Sequence, residues 1–231
     1  WSSDVCSSDL KKIKLLQRKG YEVKNFISIV SNDNNTDTIV YTSKEFQPMV
    51  ETFSSKYSFV GPSVSKLIIE PKERKRKLIY ISLGTINNKN VSFYKNCINA
   101  FKDSDVDVIM SVGRSTNIKS LGNIPNNFEV KNSVEQIAIL QKTDVFVTHS
   151  GMNSVNESLY YGVPMVLFPQ HSEQRMVAKR VVHLGAGIML KEDKSESIKK
   201  AVFQVINDNE YKENATKLSK SFYNAGGSKK A

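Results

Sequence analysis

Polar residues and glycines gather at the ends of apolar runs in this chain. Ser82-Leu83-Gly84-Thr85 follows one such run, and Thr148-His149-Ser150-Gly151-Met152-Asn153-Ser154 follows another and opens a helix. Glycine lets a ligand approach the backbone, and a helix start turns unpaired N–H groups and a positive dipole end toward an anion. Asn153 and Ser154 can donate or cap, and Glu157, one turn on, lies on the same side as Asn153. The plain structural alternative makes Asn153 a helix cap and His149 the filling of a polar corner. Further on, Pro169-Gln170-His171-Ser172-Glu173-Gln174 sets a carboxylate beside an amide at another helix start. Such a pair accepts from and donates to vicinal hydroxyls, with Arg175 or Lys179 near enough to balance the charge. Its structural alternative is a capping box with Ser172 as the cap. Neither GxGxxG after a strand nor GxxxxGK[ST] occurs, so the dinucleotide and P-loop readings lose their main support.

These residues need a scaffold that brings strand ends together. Apolar runs at 78–83, 106–112, 145–148, 165–168 and 185–190 read as strands. Segments at 94–101, 134–140, 153–161, 172–184 and 195–206 carry helical spacing between and after them. Repeated βα units of this length predict an α/β fold, a Rossmann-like, doubly wound parallel sheet whose ligand site lies at the carboxyl ends of the strands. Upstream, Ile13, Leu15 and Leu16 suggest a helix broken by Gly20, and 26–30 a short strand. Two more short strands are predicted at 39–41 and 57–60, the second ended by Gly61-Pro62. The decapeptide WSSDVCSSDL has no helical or strand period, lacks the character of a signal peptide, resembles translated adapter sequence, and is read as a non-native scar.

Composition is that of an ordinary globular protein, with 39% hydrophobic and 24% charged residues in 231. No apolar run reaches the roughly 18 residues that span a bilayer. Two cysteines, Cys6 and Cys97, and three histidines support neither a disulfide framework nor a zinc site, which points to a reducing, cytoplasmic setting. The net charge of +10 is scattered. Its densest run, Lys72-Glu73-Arg74-Lys75-Arg76-Lys77, reads as a solvated connector within a linker at 63–77, and no aromatic platform accompanies it to suggest nucleic acid.

Together, residues 148–154, Glu157, Gly162-Val163-Pro164-Met165, Pro169 and Glu173-Gln174 resemble the donor-binding signature of UDP-dependent glycosyltransferases of GT-B architecture. The bacterial macrolide-type group is the nearest flavour, and 41–48, 59–62 and 80–85 resemble it as well. The resemblance implies that His149, Gly151, Asn153 and Ser154 bind the donor diphosphate, assisted by Thr85. It implies that Glu157 binds the ribose hydroxyls and that Glu173 and Gln174 read the hexose, with Glu173 standing where Asp is commoner. Gln136 falls at a nucleoside-binding glutamine, and Val134 offers backbone groups to uracil. Ser133 takes the place of a base-stacking aromatic and Glu135 that of a proline, so stacking is either absent or supplied by another residue such as Arg114 across the cleft.

The implied reaction is inverting transfer of a hexose, with glucose favoured, from a UDP-sugar to a hydroxyl of a small hydrophobic acceptor such as a macrolide or flavonoid. The resemblance implies no metal and no cofactor beyond the UDP-sugar co-substrate. It implies a catalytic histidine base, supported by an aspartate, in an amino-terminal domain that the sequence does not contain. On that view 1–10 is the scar, 11–62 a remnant of the acceptor-binding domain, 78–224 the donor-binding domain, and 225–231 the start of a last segment, so the chain reads as incomplete at both ends and inactive alone. Of the histidines, His171 is expected near the acceptor and His183 in a structural place. No nucleic acid, membrane or partner protein is implied. The competing readings are a lipid glycosyltransferase attracted to anionic headgroups and a non-catalytic donor-binding module that needs a partner chain.

Overall fold

The computed structural model describes residues 7–23, 36–64, 74–84 and 90–231. The strand expected at 26–30, Thr85, linker residues 65–73 with Lys72 and Glu73, and residues 1–6 lie outside the described residues. The chain divides into two compact units: Trp1–Val40 with Glu51–Ser58, and Tyr41–Val50 with Phe59–Ala231.

The first unit contains helix α1 (Ser7–Arg18), which begins within the decapeptide and buries Ile13. Gly20 follows it at φ +85°, a left-handed turn that glycine makes at no steric cost. Strands β1 (Thr38–Val40) and β2 (Tyr57–Phe59) form a two-stranded sheet.

The second unit is built on six parallel strands: β3 (Lys77–Ser82), β4 (Val106–Ser111), β5 (Phe128–Lys131), β6 (Val145–Thr148), β7 (Met165–Leu167) and β8 (Gly187–Met189). Their order across the sheet is β5-β4-β3-β6-β7-β8, so the direction of winding reverses between β3 and β6. Successive side chains of a strand point to opposite faces, and both faces here are apolar. Ile79 and Ile81 belong to a core with helices α2 (Val91–Phe101) and α6 (Ser195–Asn207). Leu78 and Tyr80 belong to the opposite core with α4 (Met152–Tyr160), α5 (Ser172–His183) and α7 (Asn209–Asn224). The short helix α3 (Gln136–Leu140) buries Leu140 in that second core. This is the doubly wound α/β sheet that the alternation of runs predicts.

Two elements escaped that alternation. Strand β5 reads Phe-Glu-Val-Lys and buries only Phe128, so apolar and charged residues alternate along it instead of forming an apolar run. Helix α7 buries three residues, Ala215, Leu218 and Phe222, among charged and polar neighbours.

Asp144, just before β6, fixes the start of the central pair. Its carboxylate accepts from the Leu78 N–H at 2.8 Å and from Arg74 and Lys77 at 3.1 Å each. Arg76 pairs with Asp105 at 2.7 Å, so Arg74, Arg76 and Lys77 of the basic run meet carboxylates at the amino-terminal edge of the sheet. Pairing then runs in step to Ser82 opposite Thr148 and brings both carboxyl ends level.

One guanidinium gathers three carbonyls of residues 41–50 to this unit. Arg180 of α5 donates from Nε to the Phe46 carbonyl at 2.7 Å, and from one terminal nitrogen to the carbonyls of Glu45 at 2.7 Å and Gln47 at 3.4 Å. The Phe46 ring is buried edge-on against Phe222, 6.1 Å between centroids, and Ser43 pairs with Ser221 at 2.9 Å. Arg180→Ala is expected to lower stability by about 2 kcal/mol, the loss of charge-assisted bonds to backbone, and to speed amide exchange selectively in 41–50. Urea unfolding and hydrogen–deuterium exchange measure both, and Arg180→Lys, lacking the planar fork, should recover little.

Candidate functional site

A cleft of about 1050 Å³ opens at the carboxyl ends of the strands, lined by Ser82 and Gly84 after β3, Gly113 and Arg114 after β4, and His149 and Gly151 after β6. Its position follows from the winding: connections leave β3 and β6 toward opposite faces, and the space between them stays open.

The centre of the site is an imidazole between two glycines. A Cβ added at Gly84 would meet His149 Cε1 at 2.6 Å, and one added at Gly151 would meet His149 Nε2 at 2.6 Å. Only the absence of both side chains lets the ring lie there. Burial, with His171 nearby adding to the effect, holds the His149 imidazole below its ordinary pKa, so it is neutral at pH 7. Ser150 between them is buried and left-handed at φ +69°, a strained conformation for a residue with a side chain. Its strain turns the chain from β6 into α4.

Gly151 is the N-cap of α4 and makes no side-chain cap bond. The helical ladder begins with the Val155 N–H donating to the Gly151 carbonyl, so the N–H groups of Met152, Asn153 and Ser154 have no partner within the helix. Asn153 is therefore not the cap; it stands exposed in the first turn and lines the cleft. Ser154 and Glu157 line the same wall. Burial raises the Glu157 pKa, a hydrogen bond from Gln136 opposes the rise, and the Glu135 carboxylate adds to it.

Gln136 lies at the start of α3 and is engaged by protein at both ends of its amide. Its Nε2 donates to Glu157 Oε2 at 2.6 Å and to Ser154 Oγ at 3.3 Å, while its Oε1 accepts from the Tyr80 hydroxyl at 3.0 Å. Ser133, Val134 and Glu135 line the cleft beside it, with Arg114 on the loop after β4. That loop is pinned by Asn132, whose amide donates to the carbonyls of Gly113 and Thr116 at 2.8 Å each.

The two hexose-reading candidates part company. Glu173 lines the cleft from the first turn of α5. Gln174 does not line it: its Oε1 accepts from the Gln170 N–H at 2.8 Å, bracing the helix start. His171, not Ser172, is the N-cap there, without a side-chain cap bond. His183, expected in a structural place, is exposed in the last turn of α5 and is buried in no core. Thr85, expected beside the diphosphate, lies outside the described residues. Tyr80 lines the cleft and Ser150 shapes the turn beside it, yet within the stretches 80–85 and 148–154 one reads as an ordinary strand residue and the other as a spacer between His149 and Gly151. Among the described residues no group of three or more His, Cys, Asp or Glu could hold a metal ion, and no helix is long and apolar enough to cross a membrane.

A six-stranded parallel sheet wound in both directions, with its cleft at the switch point, defines a Rossmann-like α/β domain of the GT-B kind. The chain belongs to the family described as UDP-glucoronosyl and UDP-glucosyl transferase, whose sequence pattern matches residues 39–224. It is 39% identical over 217 residues to the Bacillus subtilis (strain 168) protein named uncharacterized UDP-glucosyltransferase YojK, covering 91% of this chain and 53% of that protein. It is 41% identical over 201 residues to NDP-glycosyltransferase YjiC of the same organism, covering 84% and 51%. The chain thus spans about half the length of the curated relatives it matches. Among solved structures, the calicheamicin glycosyltransferase CalG4 superposes with a TM-score of 0.82 at 28% identity, over 97% of this chain and 58% of that one.

The two glycines beside His149 separate steric from backbone effects. Gly151 has φ −63° and ψ 139°, which alanine adopts freely, whereas Gly84 has φ +81°. Gly151→Ala is expected to displace the imidazole with little change in stability, seen as shifted His149 ring resonances. Gly84→Ala should add about 1–2 kcal/mol of destabilisation from the left-handed backbone, read by urea unfolding.

Proposed function

We propose that the cleft binds the UDP-sugar donor of an inverting glycosyltransferase, and that the whole enzyme transfers a hexose, glucose by preference, to a hydroxyl of a small hydrophobic acceptor of macrolide or flavonoid type. The observation that carries this reading is the juxtaposition, in one cleft, of the His149 ring between Gly84 and Gly151 with the open N-terminus of α4. A diphosphate seated there meets backbone donors, a positive dipole end and an imidazole, with Asn153 and Ser154 as side-chain donors. Glu157, one turn along α4, then takes the ribose hydroxyls, Ser133, Val134 and Gln136 border the base, and Glu173 reads the hexose. Gln174 serves the hexose with its amide nitrogen or only through the helix start it braces. The names of the two Bacillus relatives, a UDP-glucosyltransferase and an NDP-glycosyltransferase, support the reading.

In such a transfer a base takes the proton of the acceptor hydroxyl as its oxygen attacks the anomeric carbon. The bond from that carbon to the diphosphate breaks, and negative charge grows on the leaving phosphate. His149 and the α4 N–H groups are aimed at that charge before it develops, which is the efficient arrangement for stabilising it. Fixed donors of this kind do the work without a metal or other cofactor. His149 is the one imidazole that lines the cleft among the described residues. With it committed to the diphosphate, we expect this chain to bind donor without transferring the sugar.

Calorimetric titration with UDP and UDP-glucose is expected to give weak but measurable binding, reduced about tenfold or more in His149→Ala, the scale of a charge-assisted hydrogen bond. No heat at millimolar ligand, or an unaffected His149→Ala, would sink the proposal; sugar transfer to a flavonoid by the chain would overturn the expectation of inactivity. A pH series adds a sign. The His149 pKa is lowered in the free protein, and the diphosphate favours the imidazolium, so UDP-glucose affinity should rise as pH falls below neutrality. Stability of the unliganded protein should move the other way, because a depressed histidine pKa means that the unfolded chain binds the proton more readily.

A further inference from the structure

The amide of Gln136 is held from both sides by protein, and one side is a strand residue to which the sequence assigned no task. Tyr80 sits in the middle of β3 at 1% exposure, with its ring stacked on Phe146 of β6 at 4.7 Å and 12°. It cannot swing without breaking the core of the sheet. Its hydroxyl lies 3.0 Å from Gln136 Oε1, across 56 residues of sequence. Burial raises the phenol above its ordinary pKa, so it keeps its proton and acts as a donor at neutral pH. An amide is planar, with oxygen and nitrogen on opposite branches. When Tyr80 engages the oxygen, the nitrogen is turned to Glu157 Oε2 at 2.6 Å and Ser154 Oγ at 3.3 Å. The flipped amide would set its oxygen against the carboxylate and give up the Tyr80 hydroxyl as a donor to that oxygen.

We propose that Tyr80 is a positioning residue for ribose recognition: through the Gln136 amide it fixes the Glu157 carboxylate, leaving that carboxylate's other oxygen to take the ribose diol. The proposal rests on the reading of Glu157 as the ribose-binding carboxylate. It gives Gln136 a different task from contact with the nucleoside, since both ends of its amide are used within the protein. Glu157 needs such a brace. Burial and the Glu135 carboxylate both disfavour its charge, and Gln136 supplies the opposing hydrogen bond. The other ionisable groups that feel it are Tyr80 and Tyr161, while Arg114, His149 and Glu173 line the same cleft.

Tyr80→Phe tests this with the ring, and so the stack on Phe146, retained; a thermal melt checks the fold. Two readouts are needed. The first requires no ligand: carboxyl NMR titration, with Glu157 assigned by difference from Glu157→Gln, should show its midpoint moved upward in Tyr80→Phe as the amide loosens. The second is the ratio of affinities for UDP and 2′-deoxy-UDP, expected to favour UDP in the parent and to fall about fivefold in Tyr80→Phe, with binding of the deoxy ligand nearly unchanged. A general loss of structure would weaken both ligands alike. Gln136→Leu, a change at a partly exposed position, should shift both readouts in the same directions and serves if Tyr80→Phe does not fold. An unmoved Glu157 titration and an unmoved ratio in either folded variant overturn the proposal. A parent that binds UDP and 2′-deoxy-UDP equally removes the ribose reading and the proposal with it, whereas a parent that discriminates confines any failure to Tyr80.

Discussion

The in-step parallel pairing of β3 with β6 is what the site depends on. Winding reverses between these strands, so the loops that follow them diverge, and their register sets Ser82 level with Thr148 at the mouth of the gap. Asp144 anchors the other end by taking the Leu78 amide of β3. A slip of one residue would exchange the faces of β3. Tyr80 would leave the face shared with Phe146, α4 and α5, and Ile81 would replace its hydroxyl with a methyl group. The glycine after β3 would no longer lie against the imidazole after β6. The geometry of the cleft is thus a property of the sheet, and the loops inherit it.

That dependence explains which parts were legible in sequence. Strand runs and helical spacing are local, and they located five of the six sheet strands and the helices between them. Glycine next to histidine after an apolar run is also local, and it marked the segment from Thr148 to Ser154. What stayed hidden was set by distance or by context. Strand β5 alternates apolar with charged residues, so it carries no apolar run. The link from Tyr80 to Gln136 spans 56 residues and leaves no trace in the neighbourhood of either. Three local readings also gave way. Gly151 caps α4, freeing Asn153 for the cleft; His171 stands at the cap expected of Ser172; and Gln174 turns to the Gln170 amide.

The site departs from what stability alone would select. Glu157 is a carboxylate kept where burial disfavours its charge, His149 is an imidazole kept where burial disfavours protonation, and Ser150 holds a backbone conformation suited to glycine. Each is tolerated because the sheet behind it is densely packed on both faces. Strain and shifted ionisation concentrated at one rim of an otherwise regular domain are the mark of a surface shaped by a ligand.

The path of the chain through its two compact units has a practical side. It belongs to the first unit up to Val40, to the second from Tyr41 to Val50, to the first again from Glu51 to Ser58, and to the second from Phe59 onward. No single backbone junction parts one from the other. A chimera joined after Gly61-Pro62, where the turn signal invites the cut, would strip the sheet unit of the strand of chain held by Arg180 and expose the pocket that Phe46 fills against Phe222. Recombination with a related chain therefore has to carry ten residues, Tyr41 to Val50, with the sheet.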